Sequence, residues 1–220
     1  MVQVRELLLP PADRGEILRY AGCRAPGPAE LALLEECLAE LGDRLRGRVC
    51  WETFPVSRPA AGGVDLGFAR VDSKALALRL KGCRQCVVFA ATVGLEPDRL
   101  IARYGGISPA RSLFFQAIGA ERIEALCDAF CARLAQELGR EGRGVTARFS
   151  PGYGDLPLSL QKDIFRVLDC PRKIGLTLNG SLLMSPSKSV TAIFGIADGP
   201  ETGRETGCAA CGKQDCAYRK

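Results

Sequence analysis

The segment that most limits how this chain can fold opens at Ser108-Pro109 and runs to about Leu138, the longest helical pattern in the sequence. Proline stands at its first helical position, where a missing N–H costs nothing. A helix of about 30 residues is about 45 Å long at 1.5 Å per residue, so other elements must pack along it. Val87-Val88-Phe89-Ala90-Ala91 supplies a continuous apolar run typical of a buried strand. One long helix beside one buried strand points to a layered α+β arrangement.

The other patterns agree. Asp13 and Glu16 have capping-box spacing before a short helix through Tyr20, and Pro28 opens a second helix whose Leu31, Leu34, Leu38 and Leu41 share one face. Strands are expected at Val49–Val56, Val145–Phe149 and Ser189–Ile196, and helices at Ser73–Leu80, Leu95–Arg103 and Leu158–Leu168. Asn179-Gly180 signals a hairpin between 175–178 and 181–184. The fold class is therefore α+β, a largely antiparallel twisted sheet backed by helices. With 220 residues and 47% hydrophobic content the chain can bury a sizeable core. Residues 1–200 read as one domain and 201–220 as a cysteine-rich C-terminal tail.

Val4 to Pro10 is too short an apolar run for a signal peptide, and no stretch approaches the ~18 residues needed to cross a bilayer. The expectation is a soluble, cytoplasmic protein without a membrane partner. A net charge of +5 is spread among acidic residues and only 6% of the chain is aromatic, which argues against nucleic acid. The basic balance leaves open the docking of an acidic electron-transfer protein.

Eleven cysteines, an odd number, without a secretion signal do not make a disulfide scaffold. Cys37, Cys127 and Cys131 fall on helix faces as small buried hydrophobes. Cys208, Cys211 and Cys216 close the chain at a spacing that could chelate zinc or hold an iron–sulfur cluster, with Cys83 or Cys86 a candidate fourth ligand. Their order differs from the Cys-x-x-x-Cys-x-x-Cys of radical S-adenosylmethionine enzymes.

The residues with the clearest ligand chemistry are Arg148-Phe149-Ser150-Pro151-Gly152-Tyr153. Pro151 fixes φ and removes a donor, Gly152 tolerates φ > 0, Arg148 offers a five-donor fork suited to a carboxylate, and Tyr153 offers an aromatic face. Downstream stand Pro157, Lys162, Asp163 to Leu168, Ile174 to Leu178, Met184-Ser185-Pro186 and Ser189 to Ala192. In order and spacing, residues 148 to about 196 resemble the activation domain of cobalamin-dependent methionine synthase; the first 147 resemble it only loosely. The usual loop of that family reads Arg-Pro-Ala-Pro-Gly-Tyr, so Phe149 and Ser150 are departures.

The resemblance implies a C-shaped α+β domain that binds S-adenosylmethionine and supports reductive remethylation of cob(II)alamin. It implies that Arg148 pairs with the methionyl carboxylate, that Ser150, Pro151, Gly152 and Tyr153 line the adenosyl side, and that Asp128 meets the amino group. The chain holds no histidine and hence no Asp-x-His-x-x-Gly motif, so it cannot bind cobalamin base-off with a histidine ligand. The implied partner is a separate methionine synthase lacking its own activation domain, with a flavodoxin- or ferredoxin-like electron donor. Two other readings stand beside this one. One is an electron-delivery protein working through its cysteine tail. The other is a methyltransferase for another acceptor, against which no Gly-rich loop follows a first strand.

Overall fold

The structure is a computed structural model that describes residues 1–59 and 62–199. Five strands form one antiparallel sheet in the order β1 (Gln3–Leu7), β2 (Gly47–Pro55), β5 (Cys83–Thr92), β9 (Ser189–Asp198) and β6 (Arg143–Val145). Two small two-stranded ribbons, β3 (Val64–Asp65) with β4 (Arg70–Val71) and β7 (Thr177–Leu178) with β8 (Met184–Ser185), lie outside it. The helices are α1 (Arg14–Tyr20), α2 (Pro28–Leu41), α3 (Lys74–Arg79), α4 (Glu96–Tyr104), α5 (Pro109–Gly139), α6 (Leu160–Leu168) and α7 (Cys170–Ile174).

β5 reads as an unbroken apolar run because it is the central strand and both of its faces are covered. Val87, Phe89 and Ala91 join Val49, Trp51, Ala192 and Phe194 in a core closed by Ile123, Leu126, Cys127, Phe130 and Leu134 of α5. Cys86, Val88 and Ala90 point the other way, into a core built with Leu76 of α3, Leu160, Ile164 and Leu168 of α6 and Cys170 and Ile174 of α7. Phe130 fixes α5 to the sheet, its ring 5.1 Å from Trp51 and 5.0 Å from Phe89.

The N-terminal half of α5 leaves the sheet and packs with α1, α2 and α4 around Ile17, Leu34, Cys37, Leu41, Leu100, Phe114, Phe115 and Ile118. Asp13 caps α1 by accepting from Glu16 N at 3.0 Å, and Glu30 accepts from Gly27 N at 2.9 Å at the start of α2. A buried ion pair of adjacent residues, Glu121 with Arg122, ties the β1–α1 connection to α5. Arg122 donates to the carbonyls of Pro10 and Pro11, and Glu121 accepts from Asp13 N at 3.3 Å.

Three local expectations change, and one segment the sequence left unassigned gains a strand. Leu31 is exposed, and the buried stripe of α2 is Leu34, Cys37 and Leu41. The N-terminal run is edge strand β1, paired with β2. Asn179-Gly180 is not a two-residue turn: the connection spans 179–183, and the Asn179 carboxamide oxygen organises it by accepting from Ser181 N and Leu183 N, each at 2.9 Å. The expected strand 145–149 is interrupted after Val145 and returns as one bridge, Phe149 to Ile193. Among the described residues no helix is long and apolar enough to cross a membrane.

Candidate functional site

Arg148 owes its position to that interruption. Val145 faces Ile196 and Thr146 N donates to Gly195 O at 3.0 Å, yet the next bridge joins Phe149 to Ile193. Ala147 and Arg148 therefore stand together opposite Phe194, a bulge that re-aims a side chain. Thr146 repairs the ladder with its hydroxyl, which accepts from Gly195 N at 2.8 Å. Phe149 packs into the core on the α6 side, whereas Arg148 reaches to the α5 side.

There the Arg148 fork is filled. Nη1 donates to Asp128 Oδ1 and Nη2 to Glu124 Oε2, two carboxylates one turn apart on α5. The Arg148 side chain is 23% exposed. Burial opposes its charge, but Cys127, Glu124 and Asp128 outweigh that effect and its pKa is raised. Burial pushes the thiol of Cys131, on the next turn of α5, up to about 11, with the Arg148 charge opposing. Tyr20 at the end of α1 completes the neighbourhood. Its phenol pKa is raised by burial first and by the Glu124 charge second, and the Arg19 guanidinium lies 4.4 Å from its ring centre.

The turn after Phe149 is anchored at both ends. Tyr153 N donates to Ser150 O at 3.2 Å, Gly152 N to Leu156 O at 2.9 Å, and Gly152 takes φ +91°, a region open to glycine. Pro151 is buried, Ser150 half-buried, and Tyr153 68% exposed, so its ring is a surface group and not part of the core. Asp155 holds the far side by accepting from Ser73 Oγ at 2.6 Å and from Lys74 N and Ala75 N at 2.7 and 3.2 Å. Those bonds, Ser73 first, keep its carboxyl below the usual range. A carboxylate at the N-terminus of α3 thus pins the turn to the core.

Arg148 and Asp128 are brought together as a direct ion pair, and Ser150 to Tyr153 follow at the same sheet edge. Lys162 is exposed on α6. Sequence reasoning missed Glu124, Tyr20 and Asp155. Glu124 had a signal, since it precedes Asp128 by four residues and shares its helix face. Asp155 and Tyr20 had none, because each depends on an element distant in sequence. The turn 184–188 is held by Asp98 of α4, which accepts from Ser187 N at 2.7 Å and from its hydroxyl.

Among the described residues no group of three or more His, Cys, Asp or Glu could hold a metal. Cys208, Cys211 and Cys216 lie outside the described residues. Cys83 and Cys86 are buried at the start of β5, and burial pushes the Cys86 thiol up to about 12. The donor set at Arg148 fits a zwitterionic amino-acid group, with a guanidinium for the carboxylate and two carboxylates for the ammonium.

No protein-family profile matches the chain, and no curated protein sequence does. Its structure is similar to a crystal structure of the MetH reactivation domain bound to AdoHcy, with a TM-score of 0.63 and 19% identity over 94% of this chain and 81% of that one. The mixed helix-and-strand fold is that of the reactivation domain.

Proposed function

We propose that this chain binds S-adenosylmethionine and supports the reductive remethylation of cob(II)alamin carried by a separate cobalamin-dependent methionine synthase. The observation that carries the reading is the Glu124–Arg148–Asp128 cluster at the sheet edge. It lies in a fold similar to that of a domain solved with AdoHcy. The absence of histidine from the sequence supports a cobalamin held by the partner.

On this reading Arg148 turns its fork from the α5 carboxylates to the methionyl carboxylate. Glu124 and Asp128, released on the same helix face, receive the ammonium group. Exchanging one set of charge-assisted bonds for another leaves the formal charge of the cluster unchanged, because the amino-acid group is a zwitterion. Ser150, Pro151, Gly152 and Tyr153 line the adenosyl side. S-adenosylmethionine supplies an electrophilic sulfonium methyl. The protein's contribution is to hold that group in line, a positional effect that requires no acid or base from the chain.

A partner assay tests the role. A methionine synthase lacking its activation domain and trapped as cob(II)alamin should regain turnover only when this protein, S-adenosylmethionine and a low-potential reductant such as reduced flavodoxin or ferredoxin are all present. Absence of rescue in the complete mixture sinks the reading. The tail is tested separately: iron and zinc analysis of anaerobically purified protein should find a stoichiometric metal that Cys208→Ser, Cys211→Ser and Cys216→Ser abolish, and a metal-free wild type removes zinc and iron–sulfur chemistry from the proposal.

A further inference from the structure

β1 is an outermost strand of the five-stranded sheet, and only the edge it turns to β2 is paired. Val56 N, just past β2, donates to Arg84 O at 2.8 Å, so the even-numbered residues of β2 turn their backbone groups toward β5. In an antiparallel ladder the direction alternates. The odd-numbered Gly47, Val49 and Trp51 therefore serve β1, where they stand opposite Leu7, Arg5 and Gln3. The N–H and C=O of Val4 and Glu6 are left pointing away from the sheet. Leu7 and Leu9 both pack against the core on the α5 side, so the extended chain continues past β1 and Leu8 repeats the orientation. Among the described residues none of these outward groups has a hydrogen-bond partner.

The side chains of this edge are as open as its backbone. Leu8 is 98% exposed and Val4 45%. Val4 stands opposite Cys50, which belongs to the core on the α6 side, so Val4, Glu6 and Leu8 share that face. Edges of this kind invite another strand. A second copy of β1 is self-complementary in one register. A symmetric pair can be centred on Val4, on Arg5 or on Glu6. Centring on Val4 leaves Leu8 uncovered. Centring on Arg5 opposes two guanidiniums at a non-hydrogen-bonded pair, where side chains come closest. Centring on Glu6 sets Leu8 of each copy beside Val4 of the other and the stem of Arg5 beside Leu7. The two Glu6 carboxylates then meet at the wider, hydrogen-bonded spacing, and each already accepts from its own Arg48 Nε at 3.0 Å. Pairing ends at Pro10, which has no N–H to give.

We propose that this chain forms a symmetric dimer by antiparallel pairing of β1 with β1 of a second copy, centred on Glu6. The Glu6 pair and both pairs of Val4 with Leu8 exchange two backbone bonds each. The two sheets become one, running β6-β9-β5-β2-β1 and then the reverse. The Arg148 turns lie at its two outer ends, about 40 Å apart at about 4.8 Å per strand, so the dimer covers neither of them. One strand from each copy makes a small contact of the weak class.

Sedimentation equilibrium of the full chain in reductant tests this, with wild type, Glu6→Pro and Leu8→Asp loaded from about 1 to about 500 µM, a range suited to a weak interface. The wild type should pass from monomer to dimer with concentration. Glu6→Pro removes the N–H at the centre of the pairing, a group with no partner in the single chain, and an edge strand tolerates proline there. Leu8→Asp replaces the apolar contact with a charge and leaves the backbone intact. Both should raise the dissociation constant at least tenfold, and their melting curves in dilute solution should match that of wild type. Hydrogen exchange should slow at Val4, Glu6 and Leu8 as wild type is concentrated, and stay constant at Arg5 and Leu7, which are paired within the sheet. A wild type that remains monomeric throughout overturns the dimer. A dimer that either variant retains at full strength, or one that leaves exchange at Val4, Glu6 and Leu8 unchanged, overturns the β1 interface.

Discussion

Arg148→Met tests whether the guanidinium serves stability, ligand binding or both. In the free chain the side chain is 23% exposed and bonds to Glu124 and Asp128, which are 43% and 68% exposed. Pairs this wet contribute roughly 0.5–1 kcal/mol each, so the substitution should cost about 1–2 kcal/mol of stability, including the repulsion newly felt between two carboxylates one turn apart. Loss of a bidentate bond to a ligand carboxylate costs about 2–3 kcal/mol, or about 30- to 150-fold in affinity. Binding must first break the Glu124 and Asp128 bonds, so the lower half of that range is expected. The variant Arg148→Met/Glu124→Gln/Asp128→Asn separates the effects. It has no stranded charges, so its denaturant midpoint should return to within about 0.5 kcal/mol of wild type. AdoHcy binding by calorimetry should nonetheless stay at least as weak as in Arg148→Met. Recovery of affinity along with stability would refute a direct contact between Arg148 and the ligand.

Three further outcomes follow from packing and charge. Phe130→Ala should lose about 3–5 kcal/mol in urea unfolding, since Phe130 is fully buried against both Trp51 and Phe89. Gly195→Ala should cost about 1–3 kcal/mol, because its new Cβ would lie 2.5 Å from Cys83 Sγ and 3.0 Å from Leu80 Cδ2 in a closed core; adding Cys83→Ala should recover part of the loss, and no recovery would discount the clash. Lys188 has its pKa lowered by burial, with Asp98 opposing, and its ammonium donates to Gln116. Because the unfolded lysine holds its proton more tightly, the penalty is fully present below the folded pKa and fades as pH rises toward 10.5. The stability gained by Lys188→Met over wild type should therefore shrink as pH rises toward 10.5, and a pH-independent difference would contradict a lowered lysine pKa.

The sequence made some of these features legible and hid others for physical reasons. Periodicity and caps are local, so α5, α2 and the Asp13 cap of α1 could be read within a residue or two. The run from Val87 to Ala91 announced a strand buried on both faces. The bulge at Ala147-Arg148 was invisible, because β-propensity says nothing of register and the interruption is set by pairing with a strand some 45 residues later. Asn179 misled for a related reason. Its side chain can replace backbone as the acceptor in a turn, and here it builds a five-residue loop where Asn-Gly usually builds a two-residue one. Arg148 and Asp128 were both named in advance, yet their mutual bond needs α5 and the sheet edge to be adjacent, which only the tertiary structure supplies.

Phe149-Ser150, where the loop departs from the Arg-Pro-Ala-Pro-Gly-Tyr pattern it resembles, has a definite structural effect. A proline at 149 would have no N–H for Ile193 O, and the bridge would lose one of its two bonds. Phenylalanine keeps both bonds and drives its ring into the core on the α6 side. The bulge behind it is then fixed with Arg148 on the α5 side. The same bridge sets where sheet pairing stops, since the next position in register is Pro151. One local change therefore fixes both the direction of the guanidinium and the point at which pairing along the outer edge of β9 stops.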